Sequence, residues 1–171
     1  MNKELIRRGA TISACGSYRY HLWREWEPAR PRMLLIMLNP AGADQDKDDH
    51  TITRSIAIAW RLGCGRLDVG NLAAWRSPHP SDLKLAADPV GPSNDYYLRQ
   101  MLRATDLLVC AWGASAVVLP GRLEAVAKLI RKSGRPAYAL KLTAAGFPSH
   151  PLARGKGFIP IDAALVPFPL G

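Results

Sequence analysis

RMLLIMLNP, residues 32–40, sets six consecutive apolar side chains between an arginine and an Asn-Pro pair. A half-exposed strand would alternate with polar residues, and a surface helix would show a polar stripe; this run shows neither. Its length, and the turn-forming Asn39-Pro40 that ends it, fit a strand buried on both faces, as in the centre of a parallel sheet. Parallel neighbours need long crossovers, so helices should alternate with strands on either side of it.

The flanking sequence follows that pattern. Downstream, Ile52, Ile56, Ala59 and Trp60 recur at helical spacing, with Asp49 or His50 near the start and Gly63 just past the end. RLDVGNLAAW reads as a second strand ending near Asn71, and a long proline-rich loop, RSPHPSDLKLAADPVGPSND, follows it. SNDYYLRQMLRATD is a capped helix, LLVCAWG a third strand, GRLEAVAKLIRKSG another helix with its glycine stop, and PAYALKLT a fourth strand. Upstream, ATISACGSYRYHLWREW alternates around a Gly-Ser turn, as a hairpin or edge structure would. The expectation is one domain over residues 1–171. Its class is α/β, a three-layer α/β/α fold with a short, four-stranded, mainly parallel sheet and an N-terminal hairpin or edge extension.

Composition narrows the function classes. The chain has 171 residues, 48% of them hydrophobic, and no apolar run near the roughly 18 residues that a membrane span needs. The N-terminus lacks the apolar core of a signal peptide, so a cytoplasmic protein with no membrane partner is expected. Cys15, Cys64 and Cys110 stand far apart, with no C-x-x-C pair; free thiols are expected. Lys and Arg total 23 against 14 Asp and Glu, a formal net charge of +9. Such a balance suits a polyanion such as nucleic acid more than a surface that is merely soluble.

Within that basic chain, four aspartates and a histidine fall in the seven positions 44–50. DQDKDD resembles a calcium loop superficially but lacks the glycine and terminal glutamate of an EF-hand, so no metal site is expected. The glycine-rich fingerprints of nucleotide triphosphate and dinucleotide sites are missing, and so is the serine-hydrolase elbow G-x-S-x-G. Ligands of open parallel sheets bind beyond the carboxyl ends of the strands. Here those ends are Asn39, Asn71, Trp112-Gly113 and the segment LTAAGFPSHPLARGKG.

Taken in order, LNPAGADQD, DVGNLAAWRSPHP, LLVCAWGASA and LTAAGFPSHPLAR resemble the strand-end motifs of the uracil-DNA glycosylase superfamily over about residues 33 to 155. The nearest likeness is to a divergent bacterial and phage branch with an LNP-x-x-AD motif. The resemblance implies a monofunctional DNA base glycosylase, without metal or organic cofactor, in which water attacks C1′ of a flipped nucleotide and leaves an abasic site. DNA is the implied partner; no obligatory protein partner is implied, and a monomer is expected.

By the same resemblance Asn39 positions the attacking water, Asp44 orients that water or stabilises the sugar cation, and His150 hydrogen-bonds the base O2 as charge builds. Asn71 would read the pyrimidine edge, and Trp75, Trp112 or Phe147 would stack on the base. Leu152 would fill the gap that the base leaves, Ser149 belongs to the stiff loop that presents His150, and Arg76, Arg154 and Lys156 would hold phosphates. Each residue has a plainer reading: Asn39 and Asn71 as turn residues, His150 as a structural histidine, the aromatics as core. The water-activating Asp of the G-Q-D-P-Y motif and the four-cysteine cluster of another branch are both missing. A substituted or hypermodified pyrimidine, as in phage DNA, is therefore as strong an expectation as uracil, with anti-phage defence beside repair as the role. A non-catalytic module that binds modified DNA, and a hydrolase of free nucleotides or nucleosides, are the alternatives.

Overall fold

A computed structural model describes residues 6–170. In chain order the elements are β1 (Arg7–Ile12), β2 (Arg19–Glu25), β3 (Arg32–Met37), α1 (His50–Arg61), β4 (Arg66–Asn71), α2 (Asn94–Ala104), β5 (Leu107–Cys110), α3 (Arg122–Ser133), β6 (Ala137–Ala139) and β7 (Val166–Pro167). The strands form one sheet in the order β1-β2-β4-β3-β5-β6-β7.

The apolar run at 33–38 is explained by its surroundings. Odd-numbered Met33, Leu35 and Met37 pack with Ile52, Ile56 and Ala59 of α1 on one face. Even-numbered Leu34 and Ile36 pack with Leu98 and Leu102 of α2 and Val126 and Ile130 of α3 on the other. With both faces of β3 covered, every position must be apolar, and the period-2 alternation is hidden rather than lost. The result is a three-layer α/β/α arrangement. Asp49 caps α1 by accepting the Ile52 N–H, and Gly134 closes α3 in the left-handed conformation.

The expected strand count needs correction. Four parallel strands, β4-β3-β5-β6, do occupy the centre, but the hairpin is no separate extension. β2 pairs antiparallel with β4 through Leu22↔Val69 and Trp23↔Asp68, and β7 adds antiparallel to β6, so among the described residues the sheet has seven strands. The hairpin strand follows alternation, with Leu22 and Arg24 turned into the α1 layer, but nothing in its sequence specifies the edge it joins. β7 is two residues long and carries a proline, too little for a periodic signal.

The three thiols are free and differ sharply in environment. Cys15, exposed in the β1–β2 turn, has its pKa lowered to about 7, mainly by a hydrogen bond with Ser13. Burial raises the thiols of Cys64 and Cys110. Iodoacetamide at neutral pH should therefore alkylate one thiol quickly, at Cys15, and the other two only on unfolding. Peptide mass mapping after a short pulse checks this; equal labelling of Cys110 would contradict it.

Candidate functional site

The acidic loop is held by arginines that face it from β2. Arg24 is fully buried; it reaches the Asp48 carboxylate at 2.7 Å and donates to the carbonyls of Asp44 (2.6 Å) and Trp23 (2.8 Å). Arg19 donates from Nη1 to the Ala43 carbonyl at 2.7 Å. The Asp44 carboxylate turns back on its own loop, accepting the N–H groups of Asp46 and Lys47, which lower its pKa. Of the loop's aspartates, Asp48 is the one that pairs with a buried arginine among the described residues, while Asp44 bonds its own loop and Asp49 caps α1.

Asn39, at the end of β3, is fixed by the proline-rich loop. Its Nδ2 donates to the carbonyls of Ser77 (2.7 Å) and Pro40 (3.2 Å), and Ser77 N–H returns a bond to Pro40 O. Two carbonyl partners set the amide orientation, which leaves Oδ1 as the available acceptor. His150 is presented by a tight reversal: Thr143 N–H bonds Phe147 O, Ser149 N–H bonds Lys141 O, and Gly113 N–H, on a positive-φ glycine, bonds Pro148 O. Arg54 of α1 secures the other side by donating to the carbonyls of Pro151 (3.0 Å) and Ile159. His150 Nδ1 accepts the Leu152 N–H at 3.1 Å, so the neutral ring carries its proton on Nε2, for which no described residue is a partner.

These residues meet in a cleft of about 500 Å³ at the carboxyl ends of the parallel strands. Asn39, Trp112, Ser149 and His150 line it, and so do Arg19, Asp49, Ser77 and Ser115. Burial lowers the His150 pKa, opposed by the negative charge of Asp49. The stability contributed by burying the neutral ring is therefore complete above the unfolded value near 6.5 and falls as the pH drops below it, because the unfolded chain takes the proton first. The melting temperature should fall between pH 7.5 and 5.5 by less in His150→Gln than in the parent. An identical fall in both would show that the ring is solvated.

Several expected site residues lie elsewhere. Asp44 is outside the cleft; Asp49 lines it, while also capping α1. Asn71 is buried, paired in register with Met37; its carbonyl accepts from Asn94 and its Nδ2 has no partner, but it does not line the cleft. Trp75 meets the Tyr18 ring edge-on at 5.5 Å, in an aromatic row that continues through Tyr20 and Tyr97. Phe147 lines a separate apolar groove with Phe168 and Leu170. Arg76 is half-buried and bonds the Gly16 carbonyl in the hairpin turn. Leu152 is half-buried, and Arg154 and Lys156 are exposed beside Ala153 and Gly157 of the cleft wall, their side chains without a described partner.

Sequence reasoning missed Arg19 and Arg54 as site-building groups, and among Asp44, Asp46, Asp48 and Asp49 it favoured Asp44 for the cleft. Asp49 had a signal, its place at the start of a helix beside a strand end; the arginines act across 24 to 105 positions, which no local pattern records. Among the described residues no three His, Cys, Asp or Glu side chains gather as metal ligands, and no helix is long and apolar enough to cross a membrane.

Fold and cleft together define an α/β protein with a cleft at the carboxyl edge of a largely parallel sheet, where a fixed amide, an imidazole and a buried guanidinium converge. More particularly, the chain belongs to the family described as a protein of unknown function, DUF1643, which matches residues 19–152. That span begins at Arg19 and takes in Asn39, Asp49, Trp112 and His150. No curated protein and no solved structure gives a significant match to the chain.

Proposed function

We propose that the cleft hydrolyses the N-glycosidic bond of a flipped pyrimidine nucleotide in DNA, and that the chain is a divergent relative of the uracil-DNA glycosylases. The observation that carries this reading is the pairing of groups in one cleft. Asn39 has its donor side tied to two carbonyls and its Oδ1 available, and His150 has its Nδ1 occupied and its Nε2–H available. The first suits a water that must be aimed rather than strongly activated, because the departing base leaves a sugar cation that reacts with a weak nucleophile. The second suits a base carbonyl that gains negative charge as the bond breaks, and a neutral donor avoids the cost of burying an imidazolium.

Trp112, buried and lining the same cleft, offers a face on which a base stacks. The unpaired Arg154 and Lys156 at its rim suit the phosphates on either side of the flipped nucleotide. Asp49 takes the place given to Asp44, as the carboxylate nearest the developing cation. The protein acts in the cytoplasm as a monomer with DNA as its partner, and the target is a modified pyrimidine, a hypermodified phage cytosine included, or uracil.

The test uses duplexes carrying uracil, mismatched thymine or glycosylated hydroxymethylcytosine, with alkali to cut abasic sites. At least one should give strand breaks that disappear in Asn39→Ala and fall in His150→Gln. No breaks with any substrate, combined with salt-dependent binding of a modified duplex that survives Asn39→Ala, would replace hydrolysis by recognition without chemistry.

A further inference from the structure

Arg19 is not accounted for by the loop it supports. The side chain is 2% exposed and lines the cleft, yet only Nη1 is engaged, with Ala43 O. Its Nε is buried with no partner, and Nη2 makes no hydrogen bond with any described residue. Nε and Nη2 share one edge of the guanidinium, and that edge is the one whose two parallel N–H groups match a carboxylate or phosphate. A buried N–H left without a partner is costly, so an orphan edge on a residue that lines a cleft is a place where a ligand oxygen would complete the structure.

The charges around Arg19 are mixed, and none of them pairs with its free edge. The Asp49 carboxylate acts on it most strongly, but makes no ion pair with it and has its Oδ1 committed to the Ile52 N–H; Arg76 and Arg24 oppose Asp49, and the Asp44 carboxylate, turned to its own loop, adds less. Burial lowers the Arg19 pKa only to about 10, so the group stays charged at neutral pH.

We propose that Arg19 forms an oxyanion subsite, through which the cleft takes a substrate bearing a phosphate or carboxylate within reach of the base that His150 holds. This rests on the proposed hydrolase only for the identity of the base. The oxyanion has two possible sources, the 5′-phosphate of a free nucleotide or an acidic substituent on a base in DNA, and both present the same pair of oxygens to the guanidinium.

A buried guanidinium Nε–H gives its own resonance in a ¹H–¹⁵N spectrum, so the wild-type protein can be used without a variant. The Arg19 signal, assigned through its own backbone, is followed on adding inorganic phosphate, deoxycytidine, deoxycytidine 5′-monophosphate, or a duplex containing 5-carboxycytosine. It should shift with the monophosphate or the carboxylated duplex and stay in place with deoxycytidine; which of the two acts identifies the source. Arg19→Lys should weaken binding of the active oxyanion roughly tenfold to a hundredfold, and far more than it weakens binding of deoxycytidine. A signal unmoved by either oxyanion substrate, moved by inorganic phosphate alone, or moved equally by deoxycytidine overturns the subsite. Loss of all base-release activity with the oxyanion-dependent shift intact would sink the hydrolase and leave the subsite standing.

Discussion

Asn39→Ala should lower the rate of base release by roughly two to four orders of magnitude, with little change in the affinity for substrate DNA. On the proposed mechanism the substitution removes the acceptor that would aim the water and leaves the proposed stacking and phosphate contacts in place, so the loss should appear in kcat rather than in KM. Asn39→Asp is the sharper experiment. A carboxylate would seem the better base, but one of its oxygens would face the carbonyls of Ser77 and Pro40, where the amide nitrogen now donates. Repulsion there favours the protonated acid or expels the side chain, so the Asp variant should be about as slow as the Ala variant near neutral pH. Single-turnover kinetics on the best duplex decides it; an Asp variant as fast as the parent would show that the amide geometry does not matter.

Arg24→Met should destabilise the protein by about 3–5 kcal/mol, the scale of breaking a buried ion pair. Its guanidinium meets the Asp48 carboxylate and the carbonyls of Asp44 and Trp23 from a position with no solvent exposure. Methionine fills most of the volume but leaves those acceptors unmatched. Asp48 is partly exposed and can recover water, so Asp48→Asn should cost clearly less. Urea unfolding of the two variants measures both values, and the Arg24 variant should melt lower by on the order of 10 °C. A loss below about 1 kcal/mol would mean that the loop holds its shape without the arginine.

The sequence disclosed the elements whose reasons are local. The unbroken apolar run of β3, the periodic face of α1 with Asp49 before it, and the glycine stop of α3 were all legible because adjacent residues decide them. The cleft was legible in outline, since strand ends in a parallel sheet must converge, and Asn39, Trp112, Ser149 and His150 do line it. Which aspartate faces inward was not legible. Asp44 and Asp49 differ only in that one closes a turn on its own loop and the other sits at the mouth of a helix, a distinction made by chain direction in three dimensions. Trp75 and Asn71 lie off the cleft for a related reason: a strand end fixes a residue's depth along the sheet, while its face depends on parity and on what the neighbouring loop leaves open.

The hairpin governs where this chain can be cut. A fragment beginning near Arg30 would keep Asn39, Asp49, Trp112 and His150, yet it would lack the guanidinium groups of Arg8, Arg19 and Arg24 that tether residues 43–48, and so one wall of the cleft. It would also strip β2 from β4, baring a six-residue strand with unpaired backbone groups and Leu67 and Val69 among its side chains. Bare edges of that kind pair with other chains, so such a fragment should aggregate.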